Sequence, residues 1–284
     1  LDQPRTGEQG LQYIVPLLKE FELSDDAFRE LHAYCRARHV TFLCTPWDLG
    51  SVDFLATMDL DGYKIGSPDM TNFPLIEHVA RTGKPLLVST GMSSEEEIRR
   101  TLAFLESLKV DYALFHAVST YPARPEEINL RFLETLREWS DRPVGYSGHE
   151  TGITTSLAAV AMGARMLERH VTLDHGMRGS DHKASLMPQQ FAELVRAVRE
   201  VEESMGTPHR WVTRGETLNR RVLGKSLVAA TAIPAGTPIT RAMIASKSPG
   251  LGLSPQVVDR LVGRVLDRAL VPDEPFLPAD IEDA

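Results

Sequence analysis

Cysteine is nearly absent from this chain of 284 residues, and Cys35 and Cys44 are the only two. Their spacing gives neither a disulfide framework nor a CxxC metal knuckle, so both read as buried free thiols. No stretch approaches the roughly 18 apolar residues that a membrane span needs. No basic segment followed by an apolar core marks a secretory signal. A cytoplasmic protein with no membrane partner is expected. Positive charge is in deficit: 31 Lys and Arg stand against 39 Asp and Glu, for a formal net charge of −8. General nucleic-acid binding rests on a cationic surface, and this balance excludes it. An anionic small substrate stays open, provided local cations or helix dipoles overcome the overall field. The glycine-rich GxGxxG signature of dinucleotide binding is also missing after the early strands.

What is present is ordinary globular composition, 42% apolar and 25% charged. Two periodicities alternate along it. SDDAFRELHAYCRARH, from Ser24, has helical spacing, with acids early and bases late as the helix dipole favours. The strand-like run VTFLCTP (40–46) follows, and then a helix near 50–58. YKIGS (63–67), a helix near 73–82 and PLLVSTG (85–91) come next. Ser94 and Glu97 form a capping box for a helix running to about Lys109. YALFHAV (112–118), a helix near 126–139, PVGYS (143–147), a helix near 151–163, RMLERHVTL (165–173) and a helix from about Pro188 to Met205 complete the pattern.

Near-continuous apolar strands alternating with helices predict a parallel sheet, either doubly wound or a β/α barrel. Polar residues end nearly every strand: Thr45, Ser67, Ser89, Ser119, Ser147 and His170. A doubly wound sheet gathers such residues at one switch point, whereas a barrel collects them around its whole rim. The prediction is a (β/α)8 TIM-type barrel of which residues 1–205 supply about six of eight units. Roughly 60 further residues are then expected before Leu1, because a barrel closes with eight strands. Residues 206–216 read as a linker. Residues 217–284, rich in turn residues and short apolar runs, read as a small β-rich domain.

The strand ends carry the chemistry. His149 and His170 close two consecutive strand candidates, and neighbouring strands lie about 4.8 Å apart. Their imidazoles are a candidate metal pair with open positions for water and substrate. Either histidine alone reads more readily as a hydrogen-bonded structural residue, and the pair brings the two readings level. Lys64, Thr45, Ser67, Ser89 and Ser147 are placed to ring a small anion, with Gly91 turning the chain into a helix N-terminus. Asp69 and Asp181 are candidate acceptors for sugar hydroxyls, and Trp47 and Tyr121 candidate stacking surfaces. Glu150 reads as a helix N-terminal carboxylate.

FLCTPWD, YKIGSPDMTNFPLIEHVARTGKPLLVSTGM, STYP, VGYSGHETG and LERHVTLD…GSDHKASLMP together resemble the sialic acid synthase family. GKSLVAATAIPAGTPIT and GLGLSP resemble the antifreeze-like SAF domain, a β-clip fold, which those enzymes carry. The resemblance implies a transferase that condenses phosphoenolpyruvate with N-acetylmannosamine, or its 6-phosphate, and water. The products are a sialic acid, or its 9-phosphate, and phosphate. It implies a divalent metal, Mn or Mg, on His149 and His170, which are also the catalytic positions. Phosphoenolpyruvate contacts carry over to Thr45, Lys64, Ser67, Ser89, Ser119 and Ser147, and sugar contacts to Trp47, Asp69, Tyr121 and Asp181. It also implies a domain-swapped homodimer.

There are departures from the family pattern. Ser119 stands where many bacterial members have Asn, and Lys247-Ser248-Pro249 replaces a Lys-Arg-Pro. SGHE stands where those members read SDHT, and resembles the animal-type branch. The Glu and Lys of the family's first two strands have no counterpart here, so the 284-residue chain alone is expected to be inactive or nearly so. Rival readings are a legionaminate, pseudaminate or KDN synthase, a spore-coat polysaccharide enzyme, or a non-catalytic metal- or carbohydrate-binding protein.

Overall fold

Five of the six strand-like runs pair into one parallel sheet in the computed structural model, which describes residues 11–281. The chain divides into two units, one ending at Gly206 and the other starting at Thr207. In the first, helices α1 (Leu11–Phe21), α2 (Asp25–Ala37) and α3 (Leu49–Ala56) precede β1 (Tyr63–Ile65). Then follow α4 (Phe73–Ala80), β2 (Leu86–Ser89), α5 (Glu95–Leu108), β3 (Tyr112–Ala117), α6 (Pro125–Ile128), α7 (Phe132–Trp139), β4 (Val144–Gly148), α8 (Thr154–Ala161), β5 (Leu167–Arg169) and α9 (Pro188–Met205).

Local chemistry explains the boundaries. The Ser24, Asp48 and Asn72 side chains accept from backbone N–H groups in the first turns of α2, α3 and α4. Ser94 and Glu97 form the predicted capping box of α5, which ends where Lys109 turns left-handed at φ 54°. Asn129, at φ 50°, breaks the helix expected near 126–139 into α6 and α7. The helix expected from 151 begins instead at Thr154.

The sheet order is β1-β2-β3-β4-β5, every pair parallel. Spatial order equals chain order, so the strand reversal of a doubly wound sheet does not occur. The sheet curls as half a barrel, and the architecture is α/β of the TIM type. Side chains alternate across it. Tyr63, Ile65, Leu86, Val88, Leu114, Val144 and Tyr146 belong to a core shared with α3, α4, α5, α7 and α8. The alternate positions, Lys64, Ser89, Ser147 and Glu168 among them, line a cavity.

The sixth run, VTFLCTP, does not become a strand. It makes one bridge, Cys44 to Tyr63, in which Lys64 N–H donates to the Cys44 carbonyl at 2.9 Å. Val40 and Leu43 are exposed, because among the described residues nothing pairs on the outer side of this run. At the other edge, Val171 bridges Leu186.

The second unit has its own core of Leu227, Ile233, Ile239, Leu253, Leu261, Phe276 and neighbours. Helix α10 (Arg214–Leu223) begins inside the stretch read as a linker, capped by Thr213 and Glu216. Strands β6 (Ser226–Ala229) and β7 (Ile244–Lys247) pair antiparallel. Isolated bridges at Val228–Pro275, Ile233–Leu270 and Pro238–Val265 complete its β framework.

Candidate active site

The parallel strands all deliver their C-terminal ends to one cavity of about 630 Å³. Lys64 comes from β1, Ser67 from the turn after it, and Ser89 from the end of β2. Ser119 and Tyr121 follow β3, Ser147 and His149 end β4, and Glu168 and His170 end β5. Thr45 and Trp47, just beyond the Cys44 bridge, and Asp181, in a turn before α9, complete the wall. Eleven of the twelve residues expected to hold metal, phosphoenolpyruvate or sugar therefore share one cavity. Asp69 does not line it. That residue closes the turn Ser67–Asp69, where its carboxylate accepts from Asn72 Nδ2 at 2.8 Å.

The hydroxyls are the unusual feature. Ser89 Oγ and Ser119 Oγ are buried, with no hydrogen-bond partner among the described residues. Buried polar groups are nearly always paired, so two orphans in one cavity mark places for a ligand's acceptors. Gly91 sits between them and Ser67. A Cβ at Gly91 would fall 2.6 Å from Ser67 Oγ and clash with Ser119 Oγ. The missing side chain keeps that cradle open.

Lys64 supplies the cation. Its Nζ lies 2.8 Å from Glu168 Oε2, and Ser147 Oγ donates to Glu168 Oε1 at 3.2 Å. Glu168 was missed in the sequence reading, although strand alternation carried the signal. In Leu167-Glu168-Arg169-His170, positions 168 and 170 share a face and Arg169 takes the opposite one.

The two imidazoles stand with ring centroids 5.2 Å apart and planes perpendicular. His149 Nδ1 lies 2.6 Å from the Val118 carbonyl, which only an N–H can satisfy. Burial holds His149 below its ordinary pKa, so it is the neutral tautomer with a lone pair on Nε2. His170 Nδ1 lies 3.3 Å from Asp181 Oδ2. That contact holds the Asp181 carboxyl below its usual range. Metal-binding histidines are ordinarily oriented in this way, with an oxygen acceptor behind one ring nitrogen. The pair fits a divalent cation, though among the described residues no group of three or more His, Cys, Asp or Glu is arranged to hold one. Tyr121 packs 4.3 Å from the His149 ring, and burial pushes its phenol up to about 12, so it stays protonated.

Glu150 corrects the sequence reading. It is not a helix N-terminal carboxylate, since α8 starts four residues later. Its side chain is buried and pairs with Arg169 at 2.9 Å. Tyr146 and Ser156 hydroxyls donate to it at 2.8 and 2.7 Å.

This fold and this rim of lysine, hydroxyls and paired histidines define a barrel-type α/β protein with a polar cavity at the strand ends, followed by a small β unit. The family model described as NeuB family matches residues 2–210, and one described as SAF domain matches residues 224–282. The chain belongs to the NeuB family, that of the sialic acid synthases. It is similar to the N-acetylneuraminate-9-phosphate synthase of Homo sapiens, with 40% identity over 87% of this chain and 69% of the human one. The Mus musculus protein of the same name is 38% identical over 93% of this chain and 74% of its own. Among solved structures, a putative spore coat polysaccharide biosynthesis protein E from Chromobacterium violaceum superposes with a TM-score of 0.74 and 27% identity. That match covers 98% of this chain and 84% of the other.

Proposed function

We propose that the protein is a nonulosonate synthase: it condenses phosphoenolpyruvate with N-acetylmannosamine, or its 6-phosphate, and water to give a sialic acid, or its 9-phosphate, and phosphate. The names of the human and mouse relatives put the 6-phosphate first. The observation that carries the reading is the convergence of two unpartnered buried hydroxyls, Ser89 and Ser119, with Lys64 beside a pair of oriented histidines. Phosphoenolpyruvate brings a phosphate and a carboxylate, and these groups supply donors for both. Thr45, Ser67 and Ser147 extend the same wall. Trp47, Tyr121 and Asp181 face the space left for the sugar.

In the reaction, C3 of phosphoenolpyruvate bonds to the aldehyde carbon of the open-chain sugar. Water adds at C2, and phosphate leaves as the C2–O bond breaks. His149 and His170 would hold a divalent cation, Mn or Mg, which would supply Lewis acidity toward the aldehyde oxygen. Lys64 and the serine hydroxyls fix the enol in register with the aldehyde, so orientation is set before bonds change. Glu168 fixes Lys64 and Ser147, the first through an ion pair and the second through a hydrogen bond. A cytoplasmic location is part of the same proposal.

A domain-swapped homodimer is part of the proposal. Trp211, Val212, Leu218, Val222 and Leu223 stand 52–69% exposed at the start of the second unit, which burial against another copy would relieve.

The test is phosphate release from phosphoenolpyruvate with each sugar, with and without Mn2+. Metal-dependent release with either sugar is expected. No release with any N-acylated hexose or its 6-phosphate would overturn the reading in favour of a non-catalytic binding protein.

A further inference from the structure

Behind the two histidines, on the opposite face of the sheet ends, lies a buried ion pair to which the proposed chemistry gives no role. Glu150 directly follows His149, and Arg169 directly precedes His170. The Arg169 side chain is 0% exposed and that of Glu150 4%. Arg169 Nη1 donates to Glu150 Oε1 at 2.9 Å, to the Gly152 carbonyl at 2.7 Å and to Ser156 Oγ at 3.0 Å. Its Nη2 donates to the Glu150 carbonyl at 2.6 Å and the Ala184 carbonyl at 3.2 Å. One guanidinium thus ties together the loop after His149, the first turn of α8, and the segment just after Asp181. Gly148 is bare for the same reason. A Cβ there would lie 2.5 Å from Glu150 Oε2 and 2.9 Å from Arg169 Cδ.

We infer that Glu150 and Arg169 are a positioning pair that sets the mutual geometry of His149, His170 and Asp181. A buried ion pair is a poor device for stability alone, since apolar residues of equal volume commonly do as well. This one spans the three segments whose register decides whether two imidazoles can share one cation. The strands by themselves fix His149 and His170 only through a three-residue pairing, Tyr146–Gly148 against Leu167–Arg169. The guanidinium adds fixed donor directions that a flexible ammonium cannot reproduce. The inference rests on the reading of the histidines as a cation site, and its test separates the two.

Glu150→Gln keeps the shape and removes the charge. Arg169→Lys keeps the charge and loses the fork. Both are compared with the unaltered chain by Mn2+ titration followed by electron paramagnetic resonance. The titration is run at a temperature where circular dichroism shows the variant folded. The His149 tautomer is read in parallel by imidazole 15N NMR without metal. A 10- to 100-fold rise in the Mn2+ dissociation constant is expected in each folded variant, the range seen when support behind a ligand is removed. Loss of the single Nδ1–H tautomer of His149 is expected alongside it. An Mn2+ constant within twofold of the unaltered chain, in either folded variant, would overturn the inference. If Glu150→Gln does not fold, Arg169→Lys decides the question. If the unaltered chain itself binds no Mn2+, the cation reading fails, and the tautomer decides the positioning role: a wild-type tautomer in the variants would overturn it.

Discussion

A methyl group at position 91 meets the hydroxyls of Ser67 and Ser119, two of the donors that the proposed anion site depends on. Gly91→Ala therefore leaves the apolar core untouched but closes the cradle. A loss of about 10²-fold in kcat/KM for phosphoenolpyruvate is expected, the usual effect of small misplacement at a reacting centre. A steady-state titration together with a melting curve checks this, and normal kinetics in the variant would remove Gly91 from the site. Lys64 allows a second prediction. Its Nζ is paired with Glu168 and lies 5.4 Å from the centroid of the Phe115 ring, so a compact cation is held in a narrow place. Lys64→Met is expected to raise KM for phosphoenolpyruvate at least tenfold. Lys64→Arg should not restore it, because the planar fork differs in shape and donor geometry. Rescue by Arg would show that charge alone suffices. At this scale the sequence was informative about types and silent about partners. The serines and the histidines declared themselves by ending strands, whereas Lys64 lies within one. Glu168 was hidden in the same strand end as His170, legible only by counting alternate positions. The partner of Glu150 lies 19 residues away on another strand, and no local pattern announces a contact of that kind.

Secondary elements were legible where a local side chain fixes them. Ser94 and Glu97 marked the start of α5 directly, whereas the run 40–46 had strand composition and, among the described residues, no neighbour to pair with on one side. Strand formation is a property of two segments, and composition reports only one. Helix α10 gives a pH prediction. Arg210 and the Thr213 cap hold the Glu216 carboxyl down at about 2, below its ordinary 4.5. A depressed carboxyl stabilises the folded element above its unfolded pKa, and that contribution fades as pH falls from about 4.5 toward about 2. Carbon-13 NMR of the Glu216 carboxyl should show a midpoint near 2, with α10 amide protection falling over the same window. A midpoint at 4.5 would sink the claim. In the same unit, Arg268 donates to Asp280 at 2.8 and 3.2 Å and to Glu274 at 2.7 Å, while the Asp280 side chain is 8% exposed. Arg268→Ala leaves that carboxylate without its cation and should cost about 2–3 kcal/mol. A denaturant midpoint unchanged by the substitution would contradict this.

At the scale of the whole molecule, the described residues form two hydrophobic cores that share no residue. One spans the parallel sheet and its helices, and the other is built from Leu227 to Ile281. Cooperativity in unfolding follows from shared buried surface, so two cores without common members should melt as two transitions. The second core is small, and units of that size sit close to the limit of independent stability. Its transition is therefore expected at the lower temperature. The change in composition near Gly206 made this division visible in the chain, because proline and turn residues replace long apolar periodicity there. The order of the strands was visible too, since βα repeats permit few connections. What the chain did not reveal was how far pairing extends at the sheet edges, which depends on segments meeting in space. Scanning calorimetry on the 284-residue protein tests the two-core picture, and Arg268→Ala makes the test specific. Only the transition belonging to residues 207–284 should move, by several degrees for a loss of about 2–3 kcal/mol, while the other stays in place. A single transition, with calorimetric and van't Hoff enthalpies equal and shifted as a whole by Arg268→Ala, would mean that the two cores unfold as one.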